Sequence, residues 1–99
     1  MAELGNPFVG NIPRKISHEE LIQALRVDIA GELEAIMGYD AHVKAAEDER
    51  VRKVLGSIRD EEKQHVGELI TLLKILDPQE AEYLEKGSNE VSELLGTKV

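Results

Sequence analysis

The stretch VRKVLGSIRDEEKQHVGELITLLKIL, residues 51–76, decides the fold, because its apolar positions recur at helical spacing and two metal-ligand residue types interrupt them. Val51, Leu55, Ile58, Glu62, His65, Leu69, Leu72 and Leu76 advance by alternating steps of four and three residues, an unbroken a/d seam. Glu62 and His65 stand inside that seam. Upstream, Ile22, Leu25, Ile29, Glu32, Ile36, Tyr39 and Val43 repeat the pattern, so Glu32 also takes an aliphatic position on a buried stripe. A carboxylate turned into an apolar core costs on the order of several kcal/mol unless it is paired, protonated or bound to metal. Three such groups call for one shared explanation.

Their spacing supplies it. Residues 46–49 read as the turn between two amphipathic helices, and a tight turn makes those helices an antiparallel hairpin. Glu32 lies roughly 15 residues before the turn, Glu62 roughly 15 after it and His65 roughly 18 after it. At about 1.5 Å rise per residue, all three fall about 22 to 27 Å along the hairpin, at one level.

The 99 residues make one small domain, too short to close a large core without a partner chain. Aromatics are few, tryptophan is absent and no long stretch alternates with period two, so the chain is expected to be all-α. A net charge of −8 argues against nucleic-acid binding and favours the attraction of cations. Without cysteine, any metal must be held by oxygen and nitrogen. The start of the chain shows no apolar signal region. The most apolar stretch, residues 69–76, carries Lys74 and is too short to span a bilayer, so no membrane association and a cytoplasmic location are expected.

Residues 1–16, with Gly5, Pro7, Gly10 and Pro13, read as an irregular arm. The hairpin is expected over residues 17–76. It opens on a capping box of Ser17 and Glu20, runs in its first helix to about Ala46, and starts the second on the cap Asp48. Asp77-Pro78 ends it and starts a C-terminal segment over residues 77–99, in which residues 79–86 form about two turns before Gly87 and residues 90–95 a further short helix.

Four-helix di-iron proteins use a Glu from each of two helices and Glu-x-x-His from each of the other two. This chain contains one of each, so two chains are required. A two-fold axis pairing two hairpins gives two Glu32, two Glu62 and two His65, enough for two metal ions in a ferritin-like four-helix bundle. Iron, manganese and zinc all accept such ligands. His65 must be neutral to bind, so loading is expected to fall below neutrality. Tyr39, one heptad from Glu32, is either a core aromatic or a hydrogen-bond donor to a ligand carboxylate. Glu34 points off the seam, as a surface carboxylate or an entrance site for metal. His18 and His42 lie outside the stripe and are expected to be exposed.

The segments Gly31-Glu-Leu-Glu-Ala-Ile-Met-Gly-Tyr39 and Arg59-Asp-Glu-Glu-Lys-Gln-His65 resemble the encapsulated ferritins, cargo proteins of encapsulin compartments, and the second is similar to that family's R-D-E-E-K-x-H signature. The resemblance implies a ferroxidase centre of two irons at a homodimer interface, built by Glu32, Glu62 and His65 of both chains, with Tyr39 behind it. It implies a decamer of five dimers, the encapsulin shell protein as partner, and iron supplied for mineral storage inside the compartment. Glu62 is expected to bridge the irons and Glu32 and His65 to bind terminally. Some members carry a glutamate where this chain has Gly31 and a tryptophan where it has Gly38, which leaves Glu34 as the remnant of an outer entrance site. Archaeal members fuse a similar domain ahead of the shell protein, and residues 76–96 resemble those versions. Leu94-Leu-Gly-Thr-Lys-Val99 echoes a shell-docking peptide only faintly. Two further readings stand beside the ferroxidase: a rubrerythrin-like peroxide reductase at the same centre, and a non-catalytic dimerisation module whose polar seam residues fix register.

Overall fold

A computed structural model describes residue 12 and residues 14–99. Most of the expected N-terminal arm therefore lies outside the described residues. Helix α1 spans His18–Ala45, α2 spans Glu49–Leu76 and α3 spans Pro78–Leu95, and no strand occurs among the described residues.

Each helix starts where a side chain satisfies its free amides. The Ser17 hydroxyl accepts from the Glu20 backbone N–H at 3.1 Å, and the Glu20 carboxylate accepts from the Ser17 backbone N–H at 3.0 Å, closing the capping box. Asp48 caps α2 by accepting from the Arg50 N–H at 2.8 Å. Asp77 caps α3 with Pro78 in its first turn. The three residues 46–48 return the chain, so α1 and α2 pack as a hairpin.

The break expected at Gly87 does not occur: α3 runs through it without interruption to Gly96. A glycine ends a helix when it takes the left-handed conformation beyond the last turn. Gly96 does so, with φ 68°, and among the described residues it alone has positive φ. Gly87 is an ordinary helical residue, at a propensity cost of about 1 kcal/mol relative to alanine.

The buried core is small and lies at the open end of the hairpin, where Ile22, Leu25 and Leu73 meet with Ile29, Leu69 and Leu76 around them. Here the seam departs from expectation. Leu73 is buried, whereas Leu72 is 42% exposed, as is Val51 at the other end of α2. A straight helix of 3.6 residues per turn drifts about 20° per heptad from a 3.5-residue repeat. Beyond Leu69 the inward position has therefore passed from Leu72 to Leu73.

Helix α3 packs its backbone against α2 and buries none of its own residues. A side-chain tie steadies it: the Arg26 guanidinium on α1 donates to Glu80 at 2.6 and 3.1 Å. The radius of gyration of 16.9 Å exceeds the roughly 13 Å of a compact chain of this length. No described helix is long and apolar enough to cross a membrane.

Candidate metal centre

Glu32 lies midway along α1, and Glu62 and His65 lie one helical turn apart midway along α2. The hairpin brings them together, with one ligand atom from each residue lying within 4.8 Å of the others. His65 Nδ1 stands 3.3 Å from Glu32 Oε2 and 3.5 Å from Glu62 Oε2. Nδ1 thus faces both carboxylates, so that its lone pair could share one cation with them.

The donor set fits a hard or borderline divalent cation: two carboxylates and one imidazole, with no sulfur. Ligand lengths near 2.0–2.2 Å put two donors on one ion up to about 4 Å apart, so small side-chain movements close the observed spacing. Three donors leave coordination positions unfilled. The trio is also open on one side, Glu62 being 18% exposed, Glu32 26% and His65 46%.

The remaining residues singled out in the sequence fall outside the trio. Tyr39 is half-buried, about 10 Å along α1 from Glu32, and makes no hydrogen bond to Glu32, Glu62 or His65. Glu34 is half-buried and not one of the clustered ligands. His18 and His42 are both exposed. His18 has a structural task at the mouth of the hairpin, its Nε2 lying 2.9 Å from the Leu76 carbonyl oxygen at the end of α2.

Sequence reasoning missed an ionic contact between the site and the turn. The Arg59 guanidinium donates through Nη1 to Asp40 Oδ1 across the hairpin at 2.9 Å and through Nε to Asp60 Oδ1 at 3.2 Å. Lys44 adds a 2.8 Å ion pair to Asp40. The hydrogen bonds from Lys44 and Arg59 hold the Asp40 carboxyl below its ordinary range, and Asp60 and Asp40 raise the already high Arg59 value. Arg59 precedes Glu62 by three residues and so shares its face of α2, the one sequence signal that could have drawn attention to it.

The family model described as EncFtn-like matches residues 14–88. The chain is 44% identical over 91 residues to the ferritin-like-encapsulin shell fusion protein of Pyrococcus furiosus, an alignment covering 92% of this chain and 26% of that protein. It is 36% identical over 81 residues to the encapsulin nanocompartment cargo protein EncC of Myxococcus xanthus, covering 82% of this chain and 62% of the other. The chain thus spans about a quarter of the first relative and less than two thirds of the second. The crystal structure of the encapsulated ferritin domain from Pyrococcus furiosus superposes with a TM-score of 0.84 at 42% identity, covering 95% of this chain and 96% of that one.

Proposed function

This chain belongs to the EncFtn-like family, and from that premise we propose that it is a ferroxidase, oxidising Fe(II) to Fe(III) with dioxygen at a site shared between two copies. The observation that carries the reading is the Glu32, Glu62 and His65 cluster, which offers three ligands on one open side. A second copy related by a two-fold axis would add the same three, giving four carboxylates and two imidazoles for two iron ions.

Iron is here both bound and transformed: each Fe(II) gives one electron to dioxygen and leaves as Fe(III). Carboxylate oxygens suit the hard Fe(III) product, and a neutral imidazole suits Fe(II). Glu62, whose neighbour His65 projects from the same helix, would lie between two ions, with Glu32 and His65 binding one each. The half-exposed His65 leaves a path for ion and oxidant. Tyr39 would support a ligand carboxylate from behind, and Glu34 would receive ions at the entrance. The net charge of −8 draws cations toward the chain.

We extend the reading to assembly and location. Relatives whose names describe an encapsulin cargo protein and a shell fusion support an encapsulin compartment as the destination, with this chain acting as cargo or as one domain of a fusion. A ring of five dimers would oxidise iron, and the surrounding shell would hold the mineral.

Native mass spectrometry of the chain before and after anaerobic Fe(II), beside Glu62→Ala, tests the proposal, followed by admission of air or hydrogen peroxide. Two irons per two chains, lost in the variant, with Fe(III) forming at the expense of dioxygen, is the expected result. Chains that stay free of metal at every iron level would make the polar seam a register device. Turnover with peroxide but not with dioxygen would make the protein a peroxide reductase.

A further inference from the structure

Burial is confined to one side of the metal site. Ile22, Leu25 and Leu73 pack at the mouth of the hairpin, whereas between the site and the turn no described residue of either helix is buried. On that side, Asp40 and Arg59 join α1 to α2. The Arg59 side chain is 23% exposed and the Asp40 side chain 36%.

The angular setting of α2 matters to the site. A rotation of about 20° about the helix axis carries a side-chain tip at a radius of about 5 Å through about 2 Å. A metal–ligand length tolerates deviations of about 0.2 Å. The partly covered Ile36, Val43, Leu55 and Ile58 hold the turn side of α2 less firmly than the buried mouth does. Arg59 stands one helical turn before Glu62 and on its face, and its rigid fork engages Asp40 on the opposite helix and Asp60 on its own. Lys44 pairs with the other oxygen of Asp40, Oδ2, at 2.8 Å, and Lys63 lies 3.7 Å from the Asp60 Oδ1 that Arg59 engages.

We propose that Arg59 is a positioning residue of the metal centre: bonded to Asp40, it fixes the rotation of α2 and aims Glu62 and His65 at Glu32. The inference rests on the metal-site reading above but touches neither ligand nor metal. It assigns Asp40 a matching role as the fixed point on α1. Lysine cannot replace Arg59, because an ammonium lacks the planar fork that spans two carboxylates on two helices.

The test is an anaerobic Co(II) titration of the full chain, reading affinity and the visible d–d bands, for the wild type, Arg59→Gln, Arg59→Lys and Asp40→Asn, with helix content followed by circular dichroism. Arg59→Gln is expected to weaken Co(II) binding about tenfold, the scale seen when partners behind metal ligands are removed, and to shift the bands while helix content stays unchanged. Asp40→Asn should do the same, and the double variant should be little worse than either single one. Arg59→Lys should retain full helicity yet keep the shifted bands, so a folded variant is available if Arg59→Gln loses structure. Wild-type affinity and wild-type bands in Arg59→Lys and Asp40→Asn would overturn the inference and leave the ferroxidase reading standing. A wild-type chain that binds neither Co(II) nor Fe(II) would overturn both.

Discussion

The two halves of the hairpin are built on different physics. On the mouth side of the Glu32, Glu62 and His65 cluster, Ile22, Leu25 and Leu73 are buried with Ile29, Leu69 and Leu76 against them. On the turn side, Ile36, Val43, Leu55 and Ile58 are only partly covered, Val54 is 58% exposed, and an ion pair crosses between the helices. Apolar burial contributes about 25 cal/mol per Å², whereas partly exposed ion pairs are worth about 0–1 kcal/mol. The mouth therefore supplies the stability and the turn half supplies orientation. The Glu32, Glu62 and His65 cluster sits where one regime gives way to the other.

The largest expected effect tests that division directly. Leu73→Ala should destabilise the chain by about 3 kcal/mol, through lost transfer energy and the cavity left behind. Val54→Ala should change stability by no more than about 0.5 kcal/mol. Urea unfolding of both variants makes the comparison. Equal losses would break it and would mean that a second copy covers Val54 in solution.

A smaller effect should appear in acid. Glu20 at the mouth is pulled down to about 2 by Arg14 and by the Ser17 amide, so its contribution is complete above about 4.5 and is lost only as pH falls through about 2. Asp40 on the turn side is also lowered, by Lys44 and Arg59, so the contribution of its clamp with Arg59 is complete above the ordinary value of 3.8 and is lost as pH falls through the lower folded-state value. Protonation of Asp40 removes the ionic contact of the turn half and leaves the apolar mouth untouched. Native-state amide exchange, followed downward from pH 6 with allowance for its intrinsic pH dependence, should therefore lose protection first over residues 36–58 and later at residues 22–29 and 69–76. Earlier loss at the mouth would contradict the division of labour.

What was legible in the sequence follows the same boundary. Ser17, Glu20, Asp48, Asp77 and Pro78 announce the helix starts because capping is local chemistry over three or four residues. The meeting of Glu32, Glu62 and His65 is readable because polar groups in an apolar seam contradict their surroundings and an antiparallel turn puts them at a common level. Leu73 in place of Leu72 was not readable, since a strict heptad count ignores the drift of a straight helix. The Arg59 to Asp40 contact was hidden for another reason: long charged side chains reach across a hairpin without leaving a periodic trace.

Gly87 gives the smallest prediction, and it extends the comparison to α3, which has neither an apolar mouth nor an ionic clamp at its far end. The helix continues through this glycine although nothing buries it there, so its continuity rests on backbone hydrogen bonding, the Asp77 cap and the left-handed Gly96 at its end. A Cβ placed on Gly87 meets no atom within 4 Å, so alanine enters without a clash. Gly87→Ala should then stabilise α3 by about 0.5–1 kcal/mol, chiefly by reducing the freedom of the unfolded chain. Amide exchange across residues 84–95 should slow while that of the hairpin stays the same. Slower exchange in the hairpin as well would show that α3 and α2 unfold as one unit, making Arg26 to Glu80 a structural joint rather than a surface tie.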